Sequence, residues 1–135
     1  MMTDECREYC KAGWCSDALL PGNAFTVELG TSYDAVIVTN LFHHFASPDI
    51  IILMKRFHAA LRPDGLMLTL EFVPNEDRVS PPVSASFSLM MLAKTPAGDA
   101  YTMIEYSQML DAAGFGARKI MDVPMSAQQL IVASA

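Results

Sequence analysis

Two side chains in this sequence have the type and the placing to move a proton. His43 lies in Asn40-Leu41-Phe42-His43-His44-Phe45, just after the apolar run Ala35–Thr39, and Glu71 lies near the end of a second such run, Leu66–Phe72. An imidazole, with an ordinary pKa of about 6.5, is a base at physiological pH, and a nearby carboxylate fixes its tautomer and stabilises the imidazolium. The plain alternative for His43 is a histidine that caps the strand end or packs against the next helix. For His44 an exposed loop position or a bond to backbone is the simpler reading. Neither the histidine pair nor Glu71 completes a metal set. Cys6, Cys10 and Cys15 are spaced for neither zinc nor a redox pair and read as free thiols.

These residues need a frame that brings them together. Tyr33-Asp34 introduces Ala35-Val36-Ile37-Val38-Thr39, apolar at consecutive positions, as in a parallel strand buried on both faces. Ser47 is placed to cap a helix begun by Pro48, with Ile50, Met54, Phe57 and Leu61 on one face. Arg62-Pro63-Asp64-Gly65 stops it, and Leu66–Phe72 is the next strand. Strand, helix and strand within about 40 residues have the size of a right-handed βαβ crossover. His43 and Glu71 then fall at the carboxyl ends of adjacent parallel strands, where open α/β sheets place their ligand crevice.

Downstream, a long connection holding Pro74, Pro81 and Pro82 leads into Ser84–Ala93, a Met-rich helix candidate, and connections of this length are more often functional than idle. Thr102-Met103-Ile104-Glu105 is a capping box, and Tyr106, Met109, Leu110 and Ala113 form the buried stripe of a helix ended by Gly114. Arg118–Val123 and Gln128–Ala133 are two strands joined at Pro124–Ser126 in an antiparallel hairpin. Upstream, Asp4–Ala12 reads as a short polar helix closed by Gly13, Trp14–Leu20 as extended, and Pro21-Gly22-Asn23 as a turn. The chain shows no internal repeat, low-complexity tract or linker.

With 135 residues, 52% hydrophobic and 18% charged, the composition is that of one globular domain. A net charge of −6 argues against a phosphate-tracking surface, so no nucleic-acid partner is expected. No apolar run approaches the roughly 18 to 20 residues that span a bilayer. The first ten residues have neither the basic nor the apolar region of a secretory signal, so no membrane association and a cytoplasmic location are expected.

From Tyr33 onward, the order of elements with its closing hairpin resembles the second half of the class I S-adenosylmethionine-dependent methyltransferase fold. Three phrases carry the likeness. Tyr33-Asp34-Ala35-Val36-Ile37-Val38 resembles that fold's fourth strand, Leu61-Arg62-Pro63-Asp64-Gly65 its turn before the fifth, and Asp111-Ala112-Ala113-Gly114-Phe115 the phrase before the sixth. The resemblance covers roughly residues 19–135 and implies an α/β fold, a partial Rossmann-like methyltransferase sheet closed by an antiparallel hairpin. Within that superfamily, Asn40–Phe45 is similar to the "leucine, histidine, aspartate, tryptophan" segment of small-molecule O-methyltransferases related to the hydroxyindole and caffeate enzymes.

That likeness implies that His43 is the general base toward a small aromatic hydroxyl and that Glu71 orients it. His44 and Phe45 stand where those enzymes carry aspartate and tryptophan, and a later glutamate of theirs falls at Ala100, with Asp99 beside it given no role. Asn23-Ala24-Phe25 resembles the phrase whose acidic residue meets the cofactor's adenine. It implies that Asn23 and Phe25, with Asn40, lie along S-adenosyl-L-methionine, and that Phe87, Met90 and Met91 line the acceptor site.

The glycine-rich loop and the acidic residue that in such enzymes hold the methionine and ribose portions have no counterpart here; Gly13, Gly22 and Gly30 are isolated. Weak or absent cofactor binding by this chain alone is therefore expected. Ala35–Thr39 becomes an open, apolar edge, to be closed by a homodimer, by a complementing chain or by the first 30 residues, or else prone to aggregation. Three readings stand: a methyltransferase with its other half supplied elsewhere, a non-catalytic truncated module that self-associates through that edge, and an unrelated ligand-binding α/β domain.

Overall fold

The computed structural model describes residues 20–135. The expected helix over Asp4–Ala12 and nearly all of the extended piece over Trp14–Leu20 lie outside the described residues. The chain runs β1 (Tyr33–Thr39), a single 3-10 turn (Phe42–His44), α1 (Ser47–Ala60), β2 (Leu61–Glu71), α2 (Pro82–Lys94), α3 (Met103–Ala113), β3 (Arg118–Asp122) and β4 (Gln129–Ser134). The four strands form one sheet in the order β1-β2-β4-β3. β1 and β2 are parallel, with Ile37 opposite Leu68, and β4 runs antiparallel to both β2 and β3. The parallel crossover and the closing hairpin are both present.

The core lies between α1, α3 and one face of the sheet. α1 buries Ile50, Leu53, Met54, Phe57 and Ala60, a stripe at helical spacing, and α3 buries Tyr106, Met109, Leu110 and Ala113. Val38, Met67, Ile131 and Ala133 rise from the sheet to meet them. α3 is closed at both ends as its sequence predicts. Thr102 and Glu105 exchange capping-box bonds, and Gly114 takes φ 95, the left-handed value that costs glycine least. No described helix is long and apolar enough to cross a membrane.

Three local expectations are corrected. The helix after Ser47 begins at Ser47 itself, with Ala46 in the cap position and no capping side chain. The turn Arg62–Gly65 does not precede β2 but lies within it. Leu61 already pairs with Tyr33, and a register shift between Tyr33 and Ala35 absorbs the extra residues, with Asp64 at φ 62. Among the described residues β1 is covered on one face only. Val38 is buried, whereas Ile37, on the other face, is 72% exposed, because both core helices sit on the same side of the sheet.

Candidate active site

Glu71 reaches the site because of strand alternation. Met67, Thr69 and Glu71 share the helix-covered face of β2, and all three are buried. A buried carboxylate must find donors or give up its charge. Glu71 finds three at the carboxyl end of β1. Its Oε1 accepts the backbone N–H of Leu41 and of Phe42, each at 2.9 Å, and its Oε2 lies 2.6 Å from His43 Nδ1. The carboxylate therefore shapes the turn that carries the histidine as well as gripping its ring.

A carboxylate accepts only, so Nδ1 is the donor and the ring presents Nε2 as its basic nitrogen. His43 is buried, 5% exposed, and its ring is walled by aromatics. Phe87 of α2 stands edge-on to it, centroids 4.8 Å apart, and Phe72 stacks on Phe87 at 4.2 Å and 25°. His44 lies beside His43 at 4.2 Å and faces solvent. Beneath the site, burial and then the charge of Glu71 hold the Tyr106 phenol well above its ordinary pKa of 10.0. Among the described residues no group of three His, Cys, Asp or Glu could hold a metal ion.

The other expected residues fall into two sets. Asn23 folds its own turn: its side-chain oxygen accepts the Phe25 N–H at 2.9 Å and its carbonyl accepts the N–H of Thr26 and Val27. Arg56 of α1 holds that turn by donating to the carbonyls of Ala24 and Val27, which sets Phe25 edge-on to Phe45 at 5.2 Å. Asn40 ends β1 at φ 52, a conformation asparagine tolerates better than most residues, and its side-chain oxygen accepts from Gln128 of the hairpin turn. On α2, Phe87 touches the histidine, Met91 is buried and Met90 is 42% exposed.

Nothing local in the sequence marks Phe72 or Gln128 as part of the site. Phe72 is the residue after Glu71 and looked like the last apolar position of a strand. Its partnership with Phe87 depends on where α2 docks, which no local pattern encodes. Gln128 sits in a turn, and only the antiparallel return of β4, with Gln129 opposite Glu71, brings it to the site's end of the sheet.

A buried histidine–carboxylate pair after the first strand of a parallel crossover, with an aromatic wall beside it, can be compared with known proteins. Residues 17–116 match the family model described as O-methyltransferase domain. The chain belongs to this family. A Nostoc punctiforme structure assigned as an O-methyltransferase superposes with a TM-score of 0.82 at 43% identity, covering 84% of this chain and 35% of that one. Human N-acetylserotonin methyltransferase, solved with S-adenosylmethionine, gives 0.77 at 27% identity over 84% of this chain and 32% of its own. The tetracenomycin polyketide synthesis 8-O-methyl transferase of Streptomyces glaucescens is 35% identical over 94 residues, 70% of this chain and 27% of that protein. This O-methyltransferase domain thus spans about a third or less of the length of the relatives it matches.

The S-adenosylmethionine bound in the human structure sets what a cofactor site here would have to hold. Among the described residues the fit is partial. Asn23 and Asn40 already spend their side-chain oxygens inside the chain, and the two described glycines that precede β1, Gly22 and Gly30, sit apart in sequence, forming no cradle of successive amides for a zwitterionic ligand.

Proposed function

We propose that this chain carries the acceptor side of an S-adenosylmethionine-dependent O-methyltransferase acting on a hydroxyl of a small aromatic molecule. The observation that carries the reading is the buried 2.6 Å contact between His43 Nδ1 and Glu71. Glu71 keeps the ring in one tautomer, Nε2 takes the proton of the acceptor hydroxyl, and the carboxylate stabilises the imidazolium that results. Positioning and proton removal are the protein's share of such a reaction, the methyl group coming from the sulfonium of the cofactor. Phe72 and Phe87 offer a flat apolar wall for an aromatic acceptor. Met90, exposed, and Met91, buried, follow Phe87 on the same helix and are assigned to the acceptor side with it.

On this reading Asn23 and Phe25 flank the adenine of the cofactor, Asn40 lies along it, and residues 1–135 act as one partial methyltransferase domain. The sequence carries no counterpart of the glycine-rich loop that seats the cofactor's remaining portions, so the isolated chain binds S-adenosylmethionine weakly or not at all. Calorimetric titration of the chain with the cofactor tests this part, and micromolar binding overturns it. In a preparation that methylates a phenolic acceptor, replacing His43 by alanine should lower turnover about 100-fold or more with cofactor affinity retained. Unchanged turnover in that variant removes His43 as the base.

A second reading rests on the sheet. Among the described residues β1 pairs on one side only, and Ile37 on it is 72% exposed, which favours self-association of a non-catalytic module through that edge.

A further inference from the structure

The histidine turn is held from a second direction. A Cβ placed on Gly98 would lie 2.1 Å from the carbonyl oxygen of His43 and 2.6 Å from Thr95 Oγ1, so only glycine lets this backbone approach so closely. Three residues on, the Tyr101 hydroxyl donates to the carbonyl of Phe45 at 2.7 Å. Residues 98 and 101 therefore brace the turn at His43 and Phe45, while Glu71 holds it at Leu41 and Phe42.

The bracing segment is itself fastened at several points. Thr95 Oγ1 accepts the Gly98 N–H at 2.7 Å and its hydroxyl donates to the Met91 carbonyl at 2.9 Å. One oxygen of Asp99 accepts from the Ser88 hydroxyl and from the Ala100 N–H, and the other accepts from the Arg78 guanidinium at 3.0 Å. The remaining arm of Arg78 donates to Glu105, whose other oxygen caps α3 through Thr102. Arg78 does this from a left-handed backbone, φ 57, a conformation that an arginine pays to adopt and that glycine takes freely. Half-exposed ion pairs add little to stability, so a strained arginine spent on two of them points to a geometric role.

We propose that Gly98, Asp99 and Arg78 are positioning residues for His43: the Arg78–Asp99 pair presses Gly98 against the histidine turn and so sets the direction of Nε2. The proposal rests on His43 being the base, and it gives Asp99 a task carried out through backbone and not by touching the imidazole.

The test is nuclear magnetic resonance of the whole chain with isotope-labelled histidine, read for the tautomer of the His43 ring. The unsubstituted chain should show His43 protonated at Nδ1 alone. Gly98→Ala, which thrusts a methyl at the His43 carbonyl, should give a mixture of tautomers. Arg78→Gly, which removes the guanidinium while relieving the left-handed backbone, should do the same in a chain whose other amide signals stay in place. Arg78→Lys should restore part of the single-tautomer signal. Should Gly98→Ala fail to fold, Arg78→Gly decides alone. A folded Arg78→Gly chain with the His43 tautomer unchanged overturns the proposal. Because this readout needs no turnover, it stays decisive even if His43→Ala leaves methylation intact and the base assignment falls.

Discussion

Glu71 is nearly inaccessible, 1% exposed, and yet it sits at the end of a strand where a carboxylate could have reached water. Its three donors explain why it does not. Hydrogen bonds to a charged acceptor contribute about 1.5 to 3 kcal/mol each, and together they offset the cost of burial. Glu71→Gln keeps the shape but loses the charge and one acceptor oxygen, and it leaves either Nδ1 of His43 or the amides of Leu41 and Phe42 facing an N–H group. Destabilisation of about 2 kcal/mol is expected in urea unfolding, with turnover in any methylating preparation falling with it. A stability equal to that of the unsubstituted chain would mean that the carboxylate does not hold the turn. That His43 and Glu71 meet was legible in sequence because both follow apolar runs at strand ends, a local signal. Gly98 and Arg78 were not, since what makes them matter is an approach between distant segments.

At the scale of elements, legibility followed how local the cause is. The α3 capping box is contained in four residues and appears as read. The start of β2 was misplaced because Leu61 is taken from the helix by a strand partner, Tyr33, far upstream. The proline after Ser47 predicts a cap at that serine, but α1 opens without a capping side chain. The capping box also ties α3 to the site, since Glu105 shares its carboxylate between the Thr102 N–H and Arg78. Thr102→Ala should therefore cost about 1 kcal/mol through the lost cap, while Thr102→Ser should cost a few tenths, as measured by urea midpoints. If alanine and serine behave alike, the hydroxyl is not what closes the helix.

Among the described residues the molecule is a sheet with its two core helices on one side. Its open face runs in register from Ile37 through Leu68 to Val132, and from Thr39 through Leu70 to Leu130, apolar at nearly every position. Periodicity told that β1 is apolar on both faces but not what would cover each one, because a strand's pattern does not name its neighbour. The edge of β1 lies beside this face, so a second copy pairing along β1 would satisfy its unpaired backbone groups and cover part of the face together. The isolated chain is then expected to be dimeric by light scattering at micromolar concentrations. Ile37→Lys places a charge in the middle of that edge, the device by which natural edge strands resist pairing, and should return the chain to a monomer while the His43 and Glu71 signals stay unchanged. Ile37 lies on the face away from the core, so the substitution tests association and not folding. A monomer before the change, or a dimer that persists after it, would remove the edge as the contact and leave the open face to a complementing chain.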